Sequence, residues 1–102
     1  MDAQTHSTSP YPTARGHAEY ESDNGGREFE VSLTGLRTLY GHRVTVRVHG
    51  NVVGTITVNR YGRAHLERHS GVPTTDAGNL VRVRTASGTL VTYGTMHRDT
   101  ED

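Results

Sequence analysis

The sequence predicts an all-β fold: a small antiparallel β-sandwich of about seven strands or a closely related barrel. Three observations predict it. After position 27 nearly every apolar residue falls in a period-two pattern, the mark of strands with one buried and one solvated face. Val and Thr dominate those segments, as a pleated, half-buried surface prefers. No window carries a sustained i, i+3, i+4 apolar stripe, so no long helix is expected.

The elements follow in chain order. Residues 1–16 hold Ser, Thr, Pro and Gly but no Val, Leu, Ile or Phe. Such a segment buries too little apolar surface to offset the entropy of ordering it. Residues 1–16 are therefore expected to be a disordered polar tail, 17–97 the folded domain and 98–102 an acidic C-terminal tail. A first strand is expected over His17–Glu21, with Ala18 and Tyr20 inward and Ser22–Gly26 as its turn. Phe29, Val31 and Leu33 alternate with Glu28, Glu30 and Ser32. Val44, Val46 and Val48 alternate with Arg43, Thr45 and Arg47, and Val52, Ile56 and Val58 share one parity. Ala64 and Leu66, then Val81 and Val83, complete the pattern. The expected core is Phe29, Val31, Leu33, Val44, Val46, Val48, Ile56, Val58, Leu66, Val81 and Val83. Ser70–Asn79 is the one long connection and is expected to cross from one sheet to the other.

Register constrains the turns. A one-residue slip sends a strand's apolar set to the solvent face, so a three-residue loop, His49-Gly50-Asn51, is expected to pair Val48 with Val52 and Val44 with Ile56, with Asn51 left-handed. Arg60-Tyr61-Gly62 is expected to join Asn59 to Arg63, aligning Val58 with Ala64 and Ile56 with Leu66, with Gly62 at positive φ. Ala86-Ser87-Gly88 repeats that form, which places Val91 and Tyr93 inward and Leu90 and Met96 outward; a two-residue loop would reverse the assignment.

The formal net charge of zero is unevenly spread, and all eleven basic residues are Arg. Residues 1–26 hold one Arg and four carboxylates, −3; residues 99–102 are also −3; residues 27–98 hold ten Arg and four carboxylates, +6. A basic domain between acidic ends attracts anionic partners, and the ends can screen it. The absence of cysteine excludes disulfides and Cys-based metal or redox sites. No run approaches the ~18 apolar residues of a membrane span, and no basic-then-apolar secretory signal opens the chain. The compartment is left open; an extracellular or cell-surface location would require a signal already removed.

Residues 43–69 read as a three-stranded meander whose outward face is the leading binding candidate: Arg43, Thr45, Arg47, Val53, Thr55, Thr57, Arg63, His65, Glu67 and His69. One chemistry for it is anion or nucleic-acid binding. Arg43, Arg47, Arg63, Arg82 and Arg84 project guanidinium forks suited to phosphate or sulfate, and Tyr40 and Tyr61 sit in loops where a base can stack. A weaker one is a metal site at His65, Glu67 and His69. Residues i and i+2 of a strand lie about 6.8 Å apart on one face, but i and i+4 about 13.6 Å. Three ligands therefore do not converge from one straight strand, and His42, His49 or His97 would have to complete the set. His69, Ser70 and Asp76 form a nucleophilic set by type, but there is no Gly-x-Ser-x-Gly elbow, Ser and Asp in that loop are ordinary turn residues, and no phosphate-cradling loop occurs. No enzyme activity and no cofactor are expected. The reading that remains is a non-enzymatic binding or assembly module, meeting a protein or glycan partner, or its own copies, through a sheet face or edge. The main alternative is an Arg-mediated binder of anionic polymers.

Val44–Gly50 (VTVRVHG), Val53-Gly54-Thr55, Asn59–Glu67 (NRYGRAHLE), Val72-Pro73, Ala77-Gly78 and Ser87–Leu90 (SGTL) together resemble a group of uncharacterised small all-β bacterial proteins. With Arg27–Leu36 the resemblance covers about three quarters of the chain, as one domain would. It implies an immunoglobulin-like or related domain, often carried on exported proteins, and no established activity. The matching residues are turn glycines and core valines, so no catalytic residue carries over.

Overall fold

The alternation expressed in the sequence becomes eight strands in a computed structural model that describes residues 1–23 and 25–98. They are β1 (Asp2–Ser7), β2 (Arg15–Asp23), β3 (Gly26–Thr34), β4 (Arg43–Val48), β5 (Asn51–Thr57), β6 (Ala64–Arg68), β7 (Leu80–Thr85) and β8 (Leu90–Thr95). One short 3-10 turn, Arg37–Leu39, precedes β4. Among the described residues no helix is long and apolar enough to cross a membrane.

All eight strands join one sheet in the order β5-β4-β7-β8-β1-β2-β3-β6, and every adjacent pair is antiparallel. The two outermost strands, β5 and β6, are joined by a tight turn and come together without a hydrogen-bonded ladder between them. The sheet is thus a barrel closed everywhere except along this seam. Leu66 of β6 packs there over Gly54 of β5, where a Cβ would come within 2.9 Å of the leucine side chain.

The largest departure from expectation is the N-terminus. Residues 1–16 are not a loose tail. Asp2–Thr5 pair with β2, and His6 and Ser7 pair with Tyr93 and Thr92 of β8, so β1 is the strand that links the two halves of the sheet. Its inward residues are Ala3 and Thr5, both buried, and Ala14 is buried beyond it. Small inward side chains suit this site because the sheet turns a corner here and β1 approaches β8 closely. A Cβ on Gly94 would collide with the Gln4 carbonyl. Residues 99–102, the acidic end expected as a C-terminal tail, lie outside the described residues, and Arg98 just before them is exposed.

The expected core is buried at Phe29, Val31, Leu33, Val44, Val46, Val48, Val58, Val81 and Val83. Ile56 and Leu66, flanking the seam, are only partly buried against it. In β2, Ala18 and Tyr20 point inward as expected, and the Tyr20 and Phe29 rings pack 6.3 Å apart. Leu36 and Leu39 close one end of the barrel beside the Asn59–Arg63 turn, where Leu36 N–H donates to the Gly62 carbonyl at 2.9 Å. The Ser70–Asn79 connection runs from β6 at one edge to β7 in the other half of the sheet, burying Val72 and Thr75 on the way.

Two bulges alter the registers. Val48 pairs directly with Asn51, so the β4–β5 loop is the two residues His49-Gly50, at φ 50° and 80°. Positive φ at both positions is the hairpin turn that matches strand twist, and Asn51 is not the left-handed residue. The ladder then shifts one place, so that Val46 meets Gly54 and Val44 meets Ile56. The extra residue turns Val53 inward and leaves Val52 exposed. In β7–β8 the three-residue loop forms as expected, with Thr85 N–H donating to Thr89 O and Gly88 at φ 95°. A shift between Val83 and Arg84 then buries both Val91 and Thr92 and inverts the parity beyond. Met96 is fully buried and Tyr93 is 40% exposed, the opposite of the expected assignment. The Arg60-Tyr61-Gly62 turn holds, with Asn59 N–H on Arg63 O and Gly62 at φ 75°. Beyond it β6 pairs with β3 rather than β5, so residues 43–69 are not a continuous meander.

Candidate functional site

Because β6 belongs with β3, the candidate face divides at the seam. Arg43, Thr45, Arg47, Thr55 and Thr57 stay together on β4 and β5, where Arg43 lies opposite Thr57 and the Thr45 and Thr55 hydroxyls are 3.2 Å apart. Val53 leaves this face for the core. Arg63, His65, Glu67 and His69 fall on the far side of the seam, beside β3.

What the structure brings to Arg43 and Arg47 is β7. Arg47 is opposite Arg82, and Thr45 opposite Arg84. Arg82 is in turn opposite Tyr93, which the bulge in β8 turns outward. Sequence parity had hidden Tyr93 because one inserted residue reverses every later side chain. The two tyrosines expected to serve this face sit elsewhere. Tyr61 is in the β5–β6 turn with its ring under the Arg60 guanidinium, 4.9 Å from the centroid, and Tyr40 is in the segment leading to β4.

The other half of the sheet carries the opposite charge. Aligning the registers gives outward rows across β1, β2, β3 and β6. Asp2, Glu19, Glu30 and Glu67 stand directly opposite one another in one row. Gln4, His17, Ser32 and His65 form the row on one side of it, and Glu21 and Glu28 the row on the other. Glu19, Glu21, Glu28 and Glu30 line a shallow cleft of about 100 Å³. Histidines lie beside these acids: His17 is 3.1 Å from Asp2, His65 3.3 Å from Glu30, and His69 3.6 Å from Glu28 and 3.9 Å from Glu67. The metal candidates therefore do not converge. His65 is engaged by Glu30 and Ser32, and among the described residues no group of three or more His, Asp or Glu is placed to hold a metal ion.

At strand level the segregation of carboxylates is complete. β1, β2, β3 and β6 contain seven carboxylates and three arginines, a formal −4. β4, β5, β7 and β8 contain four arginines and no carboxylate, +4. In a ring of eight, β4 and β7 stand four places from β2 and β3, so the two signs face opposite sides of the molecule. The division expected from sequence, a basic domain between acidic ends, is replaced at the N-terminal end by acidic strands within the sheet. Among the described residues no arginine lies within ion-pairing distance of a carboxylate.

Where β1 leaves β2 for β8, an open cleft of about 290 Å³ is lined by Asp2, Gln4, His6, Leu80, Tyr93 and His97, among others. His6 and Tyr93 meet edge to face there, 6.1 Å between centroids. The cleft marks the border between the two charged faces. No protein-family model matches this chain and no curated protein matches it, so the case for its function rests on these faces.

Proposed function

We propose that this protein is a non-enzymatic binding module whose contact surface is the arginine-threonine face of β5-β4-β7-β8, and that its partner is anionic. The observation that carries the reading is the grouping of Arg43, Arg47, Arg82 and Arg84 on strands without a single carboxylate. None of these guanidiniums faces a carboxylate, although Arg84 Nη1 donates to the Gly88 carbonyl at 3.0 Å, and a guanidinium is weakly hydrated and offers a planar fork of donors to carboxylate, sulfate or phosphate. Thr45, Thr55 and Thr57 add short hydroxyl donors between them, and Tyr93 adds an exposed ring at the border. Such a surface binds by shape and charge and needs no acid–base pair. The resemblance to small bacterial β-domains fits a contact role of this kind.

The test is binding of heparin and of single-stranded DNA by the full chain across a salt series, beside an Arg47→Ser/Arg82→Ser variant. Binding is expected to weaken steeply with salt, as counterion release requires. The double variant is expected to lose about tenfold or more in affinity and to show a shallower salt slope. Absence of binding at low salt, or a double variant that binds like the parent, overturns the reading.

A further inference from the structure

We propose that the anionic partner of the arginine face is the acidic face of a second copy of this chain, so that molecules associate head to tail. This rests on the reading of the arginine face given above and names its partner.

Each face alone carries a repulsive cost. Like charges directly opposite on neighbouring strands repel, yet Glu19 faces Glu30, Glu30 faces Glu67, and Glu21 faces Glu28. On the other side Arg47 faces Arg82. No arginine within the described molecule reaches an acid to relieve either set. A contact between the two faces of different copies relieves both at once.

The two faces also share a pitch. Neighbouring strands lie about 4.8 Å apart, and residues two apart on one strand about 6.8 Å. Glu19, Glu30, Glu21 and Glu28 occupy the four corners of such a cell, around the shallow cleft they line. Arg47, Arg82 and Arg84 occupy three corners of the same cell on the far side, with Thr45 at the fourth. Both patterns come from antiparallel ladders, so the backbone positions that carry the arginines and those that carry the glutamates share one spacing. Charge-assisted Arg–carboxylate bonds are the stronger class of hydrogen bond and are geometrically exacting.

Because the faces lie on opposite sides, a second copy bound at one leaves its own other face free. The contact is heterologous and does not close, so it generates open chains rather than a discrete dimer. The molecule measures 39 × 24 × 22 Å, so one face has the size of a standard interface, ~800 Å² per partner. The contact rests on exposed charge pairs, each of which contributes little in water, so the association is weak and strongly screened by salt.

Sedimentation velocity of the full chain over a concentration series, at about 20 mM and about 500 mM salt, tests it. Two exposed pairs are reversed separately: Glu19→Arg/Glu21→Arg on the acidic face, and Arg47→Glu/Arg82→Glu on the basic face, with folding of each checked by thermal melting. The average mass of the parent is expected to rise with concentration at low salt and to return to the monomer at high salt. Each variant alone is expected to stay monomeric, with an apparent dissociation constant raised more than tenfold, and an equimolar mixture of the two is expected to associate again. A parent that is monomeric throughout, association indifferent to salt, or a mixture that stays monomeric overturns the proposal. Heparin retention by the parent chain separates the two readings. Retention by a parent that stays monomeric at low salt overturns this inference alone, whereas a parent that neither binds heparin nor self-associates overturns the arginine face itself.

Discussion

A valine at position 62 would have to hold φ near 75°, a conformation that costs an L-residue about 1–2 kcal/mol and a β-branched one more. Its Cβ would also lie 2.6 Å from the Arg37 backbone nitrogen, inside the segment that closes one end of the barrel. Gly62→Val is thus expected to lower stability by at least ~2 kcal/mol, read as a fall in the urea midpoint at unchanged slope; an unaltered midpoint would mean that the turn is built differently. This glycine was legible in the sequence because a three-residue hairpin loop demands positive φ at its last position. The neighbouring His49-Gly50 turn was not. Register reasoning there assumed an uninterrupted ladder, and it assigned the extra residue to the loop when it resides at Val53, inside β5.

At the level of the element, the limit of period-two reading is the bulge. Val44 and Ile56 do pair, but only because one bulge corrects the parity that the short loop had inverted. In β8 a second bulge does the reverse and exchanges Met96 and Tyr93 between core and surface. β1 escaped notice for a different reason: its inward residues are Ala3 and Thr5, too small to register as apolar, although they alternate correctly. Their size is required by the corner where β1 passes from β2 to β8. Gly94→Ala puts a methyl group against the Gln4 carbonyl and is expected to cost about 1–3 kcal/mol, as overpacking does. Amide exchange should accelerate at His6–Thr8 before it does in β2 and β3; uniform acceleration would show that the corner is not a separable unit.

For the molecule as a whole, the decisive property is the placement of charge, and composition concealed it. The net charge is zero, and the linear reading divided it into segments, whereas the strand order divides it into opposite faces. Only the pairing of β1 with β2 and of β6 with β3 aligns Asp2, Glu19, Glu30 and Glu67, and neither partner choice is encoded in local periodicity. The core residues of β2, β3, β4 and β7, by contrast, were legible almost residue by residue, since parity runs unbroken along those strands. The row carries a stability consequence. Glu30→Gln removes the charge that faces both Glu19 and Glu67, and is expected to raise the melting temperature of dilute protein at low salt, with about 0.2–1 kcal/mol per relieved pair. The gain should vanish at high salt. A lower melting temperature would show that the Glu30 contact with His65 outweighs the repulsion.

β1 lies between two strands that belong to different parts of the chain, β8 on one side and β2 on the other. Withdrawn, it leaves two unpaired edges facing a single slot, whose floor admits only small alternate side chains. The protein is in this sense a receptor for its own first seven residues. Two copies that trade β1 would keep every contact of the original ladders, so strand exchange is available to this fold at the cost of opening one corner.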